Sequence, residues 1–126
     1  MARRITITIG SLKVTGELNH SLTADAFWEK LPMAGSTNTW GDEIYFSIPF
    51  KTDLERGARD VMEKGEIAYW PPGKAFCIFF GPTPMSLGDE IRAASPVSAL
   101  GKIVGDPGVF RAVKDGMAVR IEREEN

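Results

Sequence analysis

Few side chains in this sequence are equipped for chemistry, and their spacing narrows what each can do. Asp42-Glu43 and Asp89-Glu90 are adjacent carboxylate pairs. Such pairs run acid/base or metal chemistry when burial drives their pKa values apart. Gly41 and Gly88 beside them signal turns, and neighbours on a strand or turn diverge, so both pairs read as solvated faces. Arg92 reads as a surface partner for Glu90. His20 is the only histidine, which excludes a two-histidine metal site, and nothing near it singles out a nucleophile or an orienting acid. No serine lies in a Gly-x-Ser-x-Gly elbow. Cys77 is the only cysteine, so an intrachain disulfide is excluded and a cysteine-based zinc site is disfavoured. It sits in an apolar run, where burial raises a thiol's pKa and leaves it inert. Gly105-Asp106-Pro107-Gly108 lacks the lysine and following helix of a phosphate-cradling loop. The expectation is a chain with no catalytic residue, no metal and no cofactor.

What remains is aromatic. Trp40 and Tyr45 fall on a hairpin and suit a pocket rim, a place with one apolar and one wet side. Tyr69, Trp70, Phe76, Phe79 and Phe80 alternate along two strands, so at most half of them face any one site and the rest fill the core. Pro71-Pro72-Gly73 and Gly81-Pro82-Thr83-Pro84 set loop shape through fixed φ, and they also stand where a ligand rim would be, with Thr83 the polar group of the second loop.

These residues need a scaffold. The chain has 126 residues, a size that suits one domain over 1–126. The net charge is −2 and the sequence pI near 5.4, so no basic field gathers nucleic acid or anionic lipid. No apolar run approaches the roughly 20 residues that span a bilayer. Arg3-Arg4 has no apolar h-region behind it, so the start reads as a strand and the expected compartment is the cytoplasm.

Arg3 to Ile9 alternates apolar and polar residues, and Leu12 to Glu17 continues the pattern after Gly10-Ser11, which predicts a hairpin. Ser21 or Thr23 caps a helix carrying Ala26, Phe27 and Leu31, stopped by Pro32. Met33 to Trp40 and Glu43 to Ile48 read as strands around a Gly41-Asp42 turn. Lys51 to Lys64 is polar and irregular, a lid or a plain loop, with a short helical turn near Ala58–Met62. Glu66 to Trp70 and Ala75 to Phe80 are strands, Met85 to Ala94 a loop, Val97 to Val104 a strand broken at Gly101. Pro107 to Val113 is a short helix or turn, and Met117 to Arg123 closes the chain as a strand. Arg120 to Glu125 mixes both charge signs as a solvated strand and tail. Phe76 to Phe80 is an unbroken apolar run, so both of its faces must be covered. A mainly β fold of about seven or eight strands follows, with one clear helix and one short one: a sandwich or a barrel, of which a closed barrel with a helix over each mouth covers that run best.

The blocks "WGDEIYFSIP", "GEIAYWPPGKAFCIFFGPTP" and "SPVSALGKIVGD" resemble the small prokaryotic cyclophilin-like proteins, over nearly the whole chain from Ile5 to Glu122. The resemblance implies a closed antiparallel eight-stranded barrel of the cyclophilin type with a shallow outer groove. In true cyclophilins that groove binds a proline-containing peptide and speeds rotation about its imide bond. In that alignment Ala75 takes the place of a groove glutamine, Cys77 that of a pocket phenylalanine and Val97 that of a pocket histidine, while Met33 to Trp40 holds no arginine. Three of the groove's chemical groups therefore have no counterpart. The expected function is binding of a small molecule or extended peptide near the Gly81-to-Thr83 loop and the Trp40 hairpin. Its expected ligand-binding residues are Trp40, Tyr45, Tyr69, Cys77, Phe79, Gly81, Thr83 and Val97. The alternatives are a prolyl isomerase of low activity and a subunit-like domain of an amide-handling enzyme. The sequence leaves the oligomeric state open.

Overall fold

The computed structural model describes residues 3–124, so Met1-Ala2 of the start and Glu125 of the charged tail lie outside the described residues. In β1 (Arg4–Ile9) the alternation is realised: Ile5, Ile7 and Ile9 are buried. β2 (Leu12–Leu18) returns as a hairpin with Ile7 opposite Val14. Ser21 caps α1 (Leu22–Glu29), its hydroxyl accepting from the Ala24 N–H at 3.1 Å. Phe27 is the large buried residue of α1. Its ring stacks on Phe76 at 5.5 Å and meets Phe50 edge-on at 5.9 Å.

Met33 to Trp40 does not run as one strand. It splits into β3 (Met33–Ser36) and β4 (Asn38–Thr39) because Thr37 is held by the loop before the last strand. The Thr37 hydroxyl donates to Lys114 O at 2.7 Å, and its backbone exchanges bonds with Met117 and Gly116. The remaining strands are β5 (Glu43–Ser47), β6 (Arg59–Met62), β7 (Glu66–Trp70), β8 (Ala75–Phe79), β9 (Ile91–Ile103) and β10 (Ala118–Arg123). Two 3-10 turns, Pro71–Gly73 and Pro107–Ala112, complete the order, the second standing where a short helix or turn is expected.

The sequence-based expectation also fails in two other segments. Where a helical turn was expected near Ala58–Met62, Arg59–Met62 is a strand, because β9 is 13 residues long and offers β6 a partner at its N-terminal half. The expected loop Met85 to Ala94 ends early, since β9 already begins at Ile91. Pro96 hides that continuity in the sequence. β7 pairs with β9 only from Ser98 onward, so the missing N–H at Pro96 costs that ladder nothing.

The strands form a ten-stranded antiparallel sheet in the order β3-β10-β1-β2-β9-β7-β8-β5-β4, with β6 on β9. The expected closed eight-stranded barrel is not what forms. The two ends of the order, β3 and β4, are joined through Thr37. β3 approaches β5 so closely that a Cβ on Gly35 would stand 3.0 Å from Ser47 O, yet no ladder joins them among the described residues. The bend at Thr37 and the two-residue length of β4 leave too little strand to close the ring.

Alternation sorts the apolar residues into two layers. One face carries Ile5, Ile7, Phe27, Phe46, Tyr69, Phe76, Ile78 and Leu100. The opposite face carries Met62, Ala68, Ala75, Cys77, Phe79, Ala93 and Val97. The run Phe76 to Phe80 is thus covered on both sides, as its lack of alternation demanded. The stretch before β6 is strapped down: the Glu55 N–H donates to Ser98 Oγ at 2.7 Å, and its carboxylate accepts from the Thr23 N–H at 3.0 Å and from the Thr23 hydroxyl. Among the described residues no helix is long and apolar enough to cross a membrane.

Candidate functional site

The second layer is left partly open between β5, β7 and β9, and the opening is built from three local features. The first is the β4–β5 hairpin. Trp40 and Glu43 exchange backbone bonds at 2.9 and 3.2 Å, closing the turn at Gly41-Asp42. Gly41 has φ +61°, and a Cβ there would stand 3.0 Å from Pro82 O, so the turn needs glycine on both counts. Asp42 N–H donates to Pro82 O at 2.9 Å and Phe80 N–H to Asp42 O at 2.9 Å, which clamps the hairpin to the Gly81-to-Pro84 loop. Along β5, Ile44 and Phe46 then face the helix-side core, and Glu43 and Tyr45 face the opening.

The second feature is the end of β7. Trp70 follows Tyr69 onto the opposite face, where its indole N–H donates to Ser95 Oγ at 2.7 Å. A Cβ on Gly73 would stand 2.7 Å from the Trp70 ring, so the 3-10 turn presses against the indole. The third is β9, which contributes Ala93, Ala94 and Val97. Together Trp40, Glu43, Tyr45, Trp70, Ala93, Ala94 and Val97 line a groove of about 280 Å³, at the small end of small-molecule sites.

Glu43 is the chemical centre of this groove. It is 6% exposed, and its Oε1 has no hydrogen-bond partner among the described residues. Burial pushes its pKa from the ordinary carboxylate value up to about 7, and the Cys77 thiol beside it pulls the other way. The thiol of Cys77 is raised in turn, first by its own burial and then by the Glu43 carboxylate, so it stays protonated. The arrangement can hold or release one proton near neutrality in an otherwise apolar site. Among the described residues no group of three or more His, Cys, Asp or Glu side chains is placed to hold a metal ion.

The residues expected from the sequence are distributed as follows. Trp40, Tyr45 and Val97 meet in the groove. Cys77 lies opposite Tyr45, and Phe79 opposite Glu43, in the β5–β8 ladder, both in the layer beneath the groove. Tyr69 is on the other face, its hydroxyl donating to Phe50 O at 2.8 Å. Gly81 packs against Asp42, with no room for a side chain, and borders a separate concavity with Phe80, Glu90 and Arg111. Thr83 serves its own turn: its hydroxyl donates to Arg92 O and accepts from the Met85 N–H.

Glu43 and Trp70 line the groove without belonging to the expected set, although Trp70 is among the aromatic residues the sequence offers for a groove. The sequence reads Asp42-Glu43 as a solvated pair, but the pair diverges: Asp42 meets Arg111 at 3.0 Å while Glu43 turns inward. The signal was present, since Glu43 lies two residues from Tyr45 on one strand and so on the same face. The same parity separates Trp70 from Tyr69. The second pair behaves as expected: Asp89 is exposed, and Glu90 is bound by Arg92 at 2.5 Å.

A family model described as cyclophilin-like matches residues 3–122. Among solved structures, the solution structure of the hypothetical protein AF2241 from Archaeoglobus fulgidus is 39% identical, with a TM-score of 0.83 over 98% of this chain and 95% of that one. The structure of McbB in complex with tryptophan is 18% identical with a TM-score of 0.74 and shares the fold. It covers 97% of this chain and 45% of McbB. No curated protein sequence matches.

Proposed function

The chain belongs to the cyclophilin-like family, and on that premise we propose that it is a small-molecule-binding protein whose site is the Glu43 groove, without prolyl isomerase activity. The observation that carries this reading is the carboxyl of Glu43, buried and unpartnered on Oε1 at the floor of an aromatic groove. A buried polar atom without a partner costs about 1–3 kcal/mol, a cost that an incoming ligand group recovers. Trp40, Tyr45 and Trp70 supply apolar area for a flat ligand body, and Glu43 supplies orientation. A protein of the same fold is known in complex with tryptophan, an aromatic molecule with N–H donors, and this supports the choice of a small ligand over an extended peptide.

Against isomerase action, the barrier to imide rotation falls when a donor stabilises the prolyl nitrogen as it loses amide resonance, the part an arginine plays in true cyclophilins. No arginine lines the groove among the described residues. The test uses indole as the probe and the indole N–H resonances as the readout. Trp40 and Trp70 should shift on titration and Trp28, which lies elsewhere against Arg123, should not. Trp40→Ala should weaken the interaction about tenfold, the loss of one aromatic wall. A protease-coupled proline-peptide assay should show no acceleration at micromolar protein. Acceleration abolished by Trp40→Ala would overturn the assignment in favour of an isomerase.

A further inference from the structure

We propose that the groove selects organic cations: a protonated primary or secondary amine on an apolar body, its N–H donating to Glu43 Oε1 and its charge lying among Trp40, Tyr45 and Trp70. This rests on the groove being a ligand site and names the chemistry of its ligand.

Three observations converge on a cation. The first is an acid without a counter-charge. The titratable groups facing Glu43 are Tyr45 on its own strand and Cys77 on β8, while β7 and β9 present Trp70, Ala93, Ala94 and Val97. The arginines of neighbouring elements are committed to other carboxylates: Arg59 to Glu66 at 2.5 Å, Arg92 to Asp60 and Glu90, Arg111 to Asp42 at 3.0 Å. The second is free ring surface. Elsewhere this protein places cations over its aromatic rings, with Arg3 and Arg123 5.7 and 4.7 Å from the Trp28 centroid and Arg111 5.9 Å from that of Phe80. Among the described residues no arginine or lysine sits over Trp40, Tyr45 or Trp70, and none of the three stacks on another ring. Such faces attract a cation held within about 6 Å of the ring centroid. The third is that Oε1 is an acceptor with nothing bound to it, which a quaternary ammonium cannot satisfy and an N–H can.

The pH dependence follows. An ammonium favours the ionised carboxyl, and free Glu43 is half-protonated near pH 7. An aliphatic amine stays charged well above that, its pKa being about 10 like that of lysine. Affinity should therefore fall about tenfold from pH 8 to pH 6, as the competent ionised fraction falls, and binding at pH 6 should release a proton. A ligand that instead accepted a hydrogen bond from the neutral acid would show the opposite slope.

The experiment compares tryptamine with its neutral analogue indole-3-ethanol, by calorimetry and by the Trp40 and Trp70 N–H resonances, at pH 6 and pH 8. The expected result is tryptamine binding at least tenfold tighter at pH 8, an advantage that shrinks at pH 6, and loss of the preference in Glu43→Gln with the alcohol still bound. Equal binding of amine and alcohol by the wild-type protein overturns the cation assignment and leaves the groove a ligand site. Tryptamine binding that strengthens toward pH 6 overturns it as well. If neither compound nor indole moves the two resonances, the ligand-site reading itself falls.

Discussion

A carboxyl that titrates near neutrality does so because the protein has removed water from it without supplying a cation. At Glu43 the burial comes from its place opposite Phe79 in the ladder and from the ring walls around it. The sign of the consequence is fixed by linkage. The folded protein keeps a proton that the unfolded chain releases above its ordinary pKa of 4.5. The folded state is therefore not penalised below that pH and loses stability as pH rises toward about 7. At 1.36 kcal/mol per pKa unit the full loss is about 3 kcal/mol. Glu43→Gln removes the titration and keeps the shape. Urea unfolding should show the variant and wild type alike at pH 4 and the variant more stable by about 3 kcal/mol at pH 8. A constant difference across that range would mean that the carboxyl is hydrated in the folded protein.

Short elements position this site because they are tied to longer ones. β4 has two residues, yet its hairpin is held by backbone bonds to the Gly81-to-Pro84 loop. The stretch before β6 has no regular structure of its own and is strapped to α1 and β9 through Glu55. The carboxylate supplies the tie to α1, and the backbone N–H the tie to β9. Glu55→Ala leaves the Thr23 N–H and hydroxyl without their partner and should free the segment. Limited proteolysis should cut between residues 51 and 58 in the variant at a rate several-fold above wild type. An unchanged cleavage rate would show that other contacts hold the loop.

Across the whole molecule, one sheet separates two apolar layers with different tasks. The helix-side layer holds the fold: Phe27, Phe46, Phe50, Tyr69 and Phe76 form a connected set of ring contacts. The opposite layer ends in the groove. Phe27→Ala should cost about 3–5 kcal/mol of stability, the usual result of removing a buried phenylalanine. It should leave indole binding within about twofold of wild type under conditions where the variant is folded, because the sheet lies between the two. Chemical denaturation and the Trp40 and Trp70 resonances check both halves, and a parallel loss of binding would show the layers to be coupled.

The local elements were largely legible because their signals are local. Alternation of Ile5, Ile7 and Ile9, the Gly41-Asp42 turn, the cap before α1 and the two-sided run Phe76 to Phe80 each depend on residues a few positions apart. The resemblance to the cyclophilin-like proteins likewise rested on contiguous blocks. What the tertiary structure decided depends on contacts distant in sequence. Thr37 is bent by Lys114 and Met117, 77 and 80 residues away, and that bend leaves the sheet open where a closed barrel was expected. β6 is a strand because β9 has a free edge for it. Glu43 and Trp70 lie 27 positions apart and meet only when β5, β8, β7 and β9 are laid side by side. Residue type set which groups were available. Only strand order decided which carboxyl was buried without a cation, as Glu43 is and the Arg59-bound Glu66 is not, since desolvation is a property of the surroundings and not of the side chain.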